Sequence, residues 1–493
     1  MNFSPHSFFM PSLKKNFIFN LLNTVTSIIF PIITFPYAAR ILLPSGIGVV
    51  NFQISIINYI VLFTSLGIPL YAVREVAKYR DNAAERNRIT FELLILSLSL
   101  CVLGYIAVGI IATYVETIHA QSSLFYLLSL IILFTAIGVQ WFYQAVEDFK
   151  FITVRALVIR TLAAASLFLF VKTPQDLLIY GGITVASTVG NNIINFVHLR
   201  KFFTKEDIVW HGLRIKRHIK PALRIFLLNL IISLYVYLNS VMLGFMDGNE
   251  AVGLYTAGTK MSMVALSLVT SLGTVMLPRC SNLIKTGQNE EFVSLTHKSL
   301  RFVIGFSMPV TVGLMIFAQP VILLFCGAHF MGAIPVLIWT APIIIFVGLT
   351  NLTGIQILYP QNKENIVIWS TAGAALSNII LNIFLIPTLG VVGSAIATFV
   401  SEFVVLVIQC VAGRKYLPFK IRDVRLLNYI FATLLMAVVI YLLNVLIANN
   451  VLKLIFGVLV GMLVYGASLY VLKDELFLEM LSFFTKKRVK SNS

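Results

Sequence analysis

FELLILSLSLCVLGYIAVGIIATY, residues 91–114, holds a single charged side chain, Glu92, in its whole length. As an α-helix it rises about 36 Å, enough to cross a hydrocarbon core of about 30 Å. No soluble domain hides so long an apolar run unless it is very large. The basic residues Arg86 and Arg88 stand just before it. This one stretch therefore sets the fold class as membrane-spanning helix.

Outward from it, thirteen more runs of this kind follow one another along the chain. They lie near 16–39, 46–71, 122–145, 154–172, 177–199, 224–246, 252–277, 302–325, 333–358, 366–388, 392–413, 426–447 and 452–472. None shows the short alternation of an outer-membrane barrel. The expectation is an all-α, polytopic membrane protein with fourteen transmembrane helices. Composition agrees, with 58% hydrophobic and 12% charged residues against about 25% charged in soluble domains.

The chain carries 37 Lys and Arg against 20 Asp and Glu, a net charge of +17. Such a balance can signal nucleic-acid binding, but here the basic residues sit in short segments between apolar runs. With the N-terminus placed in the cytoplasm, 32 fall on that side, beginning with Lys14 and Lys15. Three, Arg40, Lys172 and Lys453, fall on the other, and Arg160 and Lys260 lie inside spans. That asymmetry is the positive-inside pattern. It places both termini in the cytoplasm and excludes nucleic acid as a partner. An odd number of missed spans would scramble it. The N-terminal run is long enough to span and lacks a cleavage-site pattern, so it reads as a retained helix.

Cys101, Cys280, Cys326 and Cys410 lie in or at the ends of apolar runs. They have neither metal-ligand spacing nor a disulfide pattern. No metal, cofactor or catalytic residue is expected. The longest interior loop, 200–223, is about two dozen residues by the span limits above. No soluble catalytic domain fits in such loops, so the work must be done within the membrane.

The chain also repeats itself. Gly48 and Gly253 open the second and eighth spans, 205 residues apart, and Arg74 and Arg279 close them at the same offset. The stretch Gly181 to Ser187 in the sixth span resembles Val392 to Thr398 in the twelfth, 211 residues on. A shift of six helices preserves orientation, so the repeat is parallel, with a pseudo-twofold along the membrane normal. The expected organisation is an N-terminal six-helix bundle (1–199), a cytoplasmic linker (200–223), a C-terminal six-helix bundle (224–413), and two added helices with a basic tail (414–493). Two such halves enclosing a midplane site suit alternating access.

Several stretches resemble polysaccharide flippases of the O-antigen (Wzx) type, within the multidrug/oligosaccharidyl-lipid/polysaccharide exporter superfamily. Phe35 to Gly48, running through Arg40 and Pro44, is similar to the end of their first helix. Trp141-Phe142-Tyr143-Gln144 with Glu147 to Lys150 resembles their fourth-helix exit, and Gly253-Leu254-Tyr255 with Lys260 the start of their eighth. Asn378, Asn382, Ile386-Pro387, Gly390 to Thr398 and Ser401-Glu402 resemble their most recognisable stretch. The matches run from residue 16 to about 415 in the family's order. The chain has Leu43-Pro44-Ser45 where the family often has Gly-Pro-Glu. The resemblance implies a flippase that moves undecaprenyl-diphosphate-linked oligosaccharide from the cytoplasmic to the periplasmic leaflet of a bacterial inner membrane, for O-antigen or capsule synthesis. It implies H+ or Na+ as a coupling ion, with membrane lipids, a polymerase and glycosyltransferases as partners.

Charges within a span are costly and mark pathways or partners. Arg160 lies roughly 9 Å into the fifth span and Lys260 roughly 12 Å into the eighth. Together with Arg40 at the end of the first helix, they are expected to make a cationic cavity for the diphosphate, since arginine forks match phosphate oxygens. Snorkelling of Arg160 and interfacial anchoring of Arg40 are the plainer readings. Glu402, in the twelfth span, is expected to balance these charges or carry a coupling proton. Gln140 and Gln144 share a helix face continued by Glu147; Asn191 and Asn195, and Asn378 and Asn382, pair likewise. These amides would meet sugar hydroxyls or bond neighbouring helices. Tyr37 and Tyr255 would stack on sugars or anchor at the interface.

A multidrug or cation antiporter shares this architecture but wants a central carboxylate excess, which is missing. A lipid II flippase differs only in its cargo. A membrane glycosyltransferase or polymerase would need long exterior loops.

Overall fold

In the computed structural model, residues 13–203, 212–418, 426–479 and 481–482 are described. Lys205, Lys420, Arg422, Arg425 and the basic tail from Lys486 to Lys490, all counted above as interior charges, lie outside them. Every regular element among the described residues is helical, with no strand among them. The first helices are α1 (Leu13–Ser65), α2 (Ile68–Lys78), α3 (Ala83–Tyr114), α4 (Glu116–His119), α5 (Ser122–Ile137), α6 (Gln140–Ala145), α7 (Phe149–Phe170) and α8 (Leu177–Leu199). Next come α9 (Lys216–Met246), α10 (Gly248–Lys285), α11 (Asn289–Ile316), α12 (Ala318–Phe325), α13 (Ala333–Thr340) and α14 (Ile343–Thr350). The chain ends with α15 (Glu364–Leu389), α16 (Val391–Ala412), α17 (Leu426–Leu446) and α18 (Asn450–Val471). Twelve helical stretches among these residues are long and apolar enough to cross a membrane. The protein is an all-helical, multi-pass membrane protein.

The longest of those stretches, Ile18–Lys78, covers what the sequence reads as two spans. It is not straight. Leu43 takes φ 62°, ψ 173° just before Pro44, and Leu66 and Gly67 also have positive φ. Proline restricts the residue before it and cannot donate to the preceding turn. Other expected spans are segmented too. The stretch near 302–325 is α11 and α12, hinged at Phe317. That near 333–358 is α13, α14 and a π-helical turn over Asn351–Leu358, with Pro342 capping α14.

α3 shows why these helices sit where they do. Val102, Leu103, Ile106 and Ile110 are each more than half exposed on one face. Cys101, Gly104, Val108 and Ala112 are buried on the other. Small residues let neighbours approach, and a Cβ on Gly104 would sit 2.7 Å from the Thr64 methyl. The apolar face is turned to lipid, the small-residue face to protein. Helix starts are capped by side chains where the chain enters them: Asn82 accepts from Glu85 N, Asp148 from Phe151 N, and Asn449 from Val451 N and Leu452 N.

The chain divides into two compact units. Unit 1 comprises residues 1–42 and 50–233; unit 2 comprises 43–49 and 234–493. In unit 1 the linker after α8 is clasped to α2 and α3. Glu92, fully buried, accepts from Arg214 N (2.7 Å), Arg217 Nη2 (2.8 Å) and His218 Nε2 (2.7 Å). Tyr71 on α2 closes the clasp on His218 Nδ1 at 2.8 Å. In unit 2 the segment 43–49 lies against the start of α10: a Cβ on Gly253 would fall 1.9 Å from the Pro44 carbonyl oxygen.

Candidate functional site

In unit 1, α7 carries Arg155 and Arg160. Arg160 is half-buried. Its Nη1 donates to the carbonyl oxygen and Oδ1 of Asn23, both at 3.1 Å, and to Thr26 Oγ1 at 2.8 Å. One turn pair earlier, Thr153 Oγ1 donates to Phe19 O at 2.9 Å. α7 is thus bound along one side to α1 by polar contacts, and the Arg160 charge is neutralised by no carboxylate within salt-bridge distance among the described residues.

Arg155 falls at the edge of the expected span 154–172 and is counted among the interior topology charges in the sequence. The structure corrects this. It is the seventh residue of α7 and 5% exposed. Its guanidinium lies over the Phe151 ring at 5.6 Å, and Nη2 donates to Gln140 Oε1 at 3.3 Å. Nε and Nη1 are buried without an acceptor among the described residues. Its place at the edge of the run, five residues after Lys150, makes it read as a topology charge.

Around Arg155 the junction of α6, α7 and α8 is polar. Tyr143 donates its hydroxyl to Asn195 O at 2.6 Å, and Asn195 Nδ2 donates to Gly138 O at 2.6 Å. His198 stacks on Phe151, centroids 4.0 Å apart. Asn195 Oδ1, Asn191 Oδ1 and His198 Nδ1 are buried without a partner among the described residues. Asn191 Nδ2 bonds back to Ser187 O within its own helix. Gln140 is exposed and Gln144 half-buried on the short α6. Glu147 does not continue their face. α6 stops at Ala145, Glu147 takes φ 60°, and its carboxylate pairs with Arg80 at 3.0 Å.

At the opposite end of α7, Tyr37 donates to Val171 O at 2.9 Å, and the Lys172 ammonium reaches the Tyr37 hydroxyl at 3.4 Å. Tyr37 therefore fastens α1 to the end of α7. Arg40 is exposed, three residues before the Leu43 break.

Unit 2 holds a buried amide and hydroxyl network. Asn382 Nδ2 donates to Asn239 Oδ1 (2.7 Å) and to Asn378 Oδ1 (3.0 Å). Asn239 Nδ2 donates to the Tyr255 hydroxyl (2.7 Å) and Thr398 Oγ1 (2.9 Å). Asn378 and Asn382 are fully enclosed, and Tyr255 is 8% exposed. In this structure they bind α9, α10, α15 and α16 to one another, as intramembrane polar groups commonly do. Lys260 on α10 and Glu402 on α16 are half-buried. Glu92 and its clasp partner His218 were missed by the sequence reading; the spacing of Arg88 and Glu92, four apart on one helix, was the available signal.

A family model described as "Polysaccharide biosynthesis protein" matches residues 13–284. A protein named "Putative O-antigen transporter" from Escherichia coli (strain K12) is 23% identical over 411 residues, covering 82% of this chain and 98% of that one. Among solved structures, a lipid II flippase in an inward closed conformation superposes with TM-score 0.70 at 19% identity, over 93% of this chain and 99% of its own. An inward-facing multidrug resistance transporter of the MATE family superposes with TM-score 0.62 at 15% identity, over 81% and 98%.

Proposed function

Because the chain belongs to the polysaccharide biosynthesis protein family, we propose that it is a flippase for a lipid-linked oligosaccharide, moving it from the cytoplasmic to the outer leaflet of a bacterial inner membrane. The carrying observation is Arg160, placed in an apolar helix with only neutral hydrogen-bond partners and no carboxylate at salt-bridge distance among the described residues. Uncompensated cations in a bilayer are costly, and an anionic headgroup is what would offset them. The O-antigen transporter relative, similar along nearly its whole length, supports a lipid-linked sugar as the cargo. The likeness to the lipid II flippase and the MATE transporter supports the fold only.

In this reading fourteen helices form two six-helix bundles plus two added helices, with both termini cytoplasmic, and the transport cycle is alternating access. Arg40, Arg160 and Lys260 are the residues assigned to supply positive charge to the diphosphate. Glu402 balances them or carries the coupling ion, H+ or Na+. Gln140 and Gln144 offer amides to the sugar. Glycosyltransferases that build the cargo and a polymerase that consumes it are the natural partners.

The test is translocation of a fluorescent oligosaccharide-diphosphate lipid in proteoliposomes, followed by quenching in the outer leaflet. Arg160→Ala and Lys260→Ala should each slow it about tenfold or more, the loss of one charge-assisted contact. Normal rates in the double variant would overturn the charge assignment. Extrusion of organic cations, with no lipid movement by the intact protein, would favour the antiporter.

A further inference from the structure

We infer that Arg155 is a second phosphate-binding residue, buried with unused donors until the phosphate of a polyprenyl diphosphate displaces the Gln140 amide. The inference rests on the flippase reading above.

A guanidinium has five N–H donors. In Arg155, Nη2 is engaged with Gln140, while Nε and Nη1 are buried with no acceptor among the described residues. Buried donors without partners cost stability, and charged ones cost more. The acids next to it in the chain are occupied elsewhere: Glu147 pairs with Arg80, and Asp148 caps α7 through Phe151 N. Arg160, five residues on along the same helix, adds like charge. A packing role does not require a guanidinium here, since a methionine would fill the same space over Phe151 without stranded donors.

Access is built in. Among the described residues, the one side-chain acceptor bonded to Arg155 belongs to Gln140, which is exposed. A neutral amide oxygen is a weak ligand beside a phosphate, which offers charged oxygens to the fork. A phosphate in that place can hold Nη2 together with the idle nitrogen on the same edge of the fork, and neutralises the charge. The depth suits a headgroup, because Arg155 lies about 10 Å from the start of α7 on the basic side of the positive-inside pattern. All three Arg160 hydrogen bonds run from Nη1 alone.

The test titrates the purified full chain in nanodiscs with undecaprenyl diphosphate, undecaprenyl phosphate and phosphatidylglycerol, reading occupancy by native mass spectrometry. Arg155→Gln should weaken the diphosphate lipid at least tenfold, with phosphatidylglycerol changed less than threefold, and Arg155→Lys should fall between. Ligand-free Arg155→Gln should melt at or above the wild-type temperature, because an uncompensated buried charge is gone; a structural arginine would lower it. Unchanged diphosphate binding in Arg155→Gln, or a lowered melting temperature with equal loss for all three lipids, overturns the inference while leaving the flippase reading intact. A wild-type protein that binds no diphosphate lipid overturns both.

Discussion

Gly48 and Gly253 are the residues the internal repeat aligns, and in unit 2 they lie at one close crossing. A Cβ on Gly48 would sit 1.6 Å from Asn249 O, and one on Gly253 1.9 Å from Pro44 O. Neither has positive φ, so the need for glycine is steric, not conformational. Gly253→Ala should therefore push residues 43–49 off α10 and cost about 2 kcal/mol, the usual range for overpacking. Thermal unfolding in detergent measures it. Gly48→Ala should behave alike, and the double variant should cost less than the two together, since the first displacement makes room for the second. Independent, additive losses would mean that the two sites do not share one contact. The repeat marked both glycines, but an offset along the chain carries no information on which copies touch. Arg160 was legible because apolar residues flank it on both sides. Arg155 was not, because with Lys150 nearby only the packing of Phe151 and Gln140 around it reveals that it is buried.

The elements of unit 1 are joined by charge as well as by packing. α2, α3 and the start of α9 meet at Glu92, which Arg88 and Arg217 also approach as ion partners. Arg217 pays for its partial burial, yet the Glu92 and Glu85 carboxylates hold its guanidinium above its ordinary range. Burial pushes the His218 imidazole below its usual value, more than Glu92 beside it can restore. The hydrogen bonds agree with a neutral ring: Nε2–H donates to Glu92 and Nδ1 accepts from Tyr71. A histidine with a depressed folded pKa binds fewer protons folded than unfolded as pH drops below about 6.5. Stability should thus be level above that pH and fall below it, by up to about 1.4 kcal/mol per pH unit until the folded ring also titrates. His218→Gln should flatten that descent in melting curves from pH 7.5 to 5; an unaltered slope would show that another group causes it. Glu92→Gln should be worse at every pH, by about 3 kcal/mol, because it strands donors that a buried carboxylate had satisfied. Of these elements, the sequence made α3 plain from its unbroken apolar length. It did not separate α2 from α1, since Gly67 and Pro69 interrupt a run that stays apolar, and hydropathy does not register a change of direction.

Across the whole molecule, the sidedness of charge is the property from which the membrane orientation follows. Lys and Arg in short loops stay on the cytoplasmic side during insertion, whereas acidic residues have little influence. The count of spans and the orientation are linked: each span reverses the side, so loops at known positions report the number of crossings between them. Cysteines placed at exposed loop positions can read this directly, because Cys101, Cys280 and Cys326 are buried and Cys410 partly so, giving low background. Ala120, Thr173 and Ala448 are exposed in loops assigned outside, and Lys285 at the end of α10 and Lys415 are exposed on the side assigned inside. In intact cells a membrane-impermeant maleimide should label Ala120→Cys, Thr173→Cys and Ala448→Cys. It should reach Lys285→Cys and Lys415→Cys only after the membrane is opened. The complete reverse would keep the crossings and invert the protein, moving the basic loops outward against the potential and the anionic lipid surface that favour them inside. A break in the pattern between Thr173 and Lys285 would instead mean that the three spans between them are two or four, and the parallel repeat, which requires a shift of an even number of helices, would fall with it.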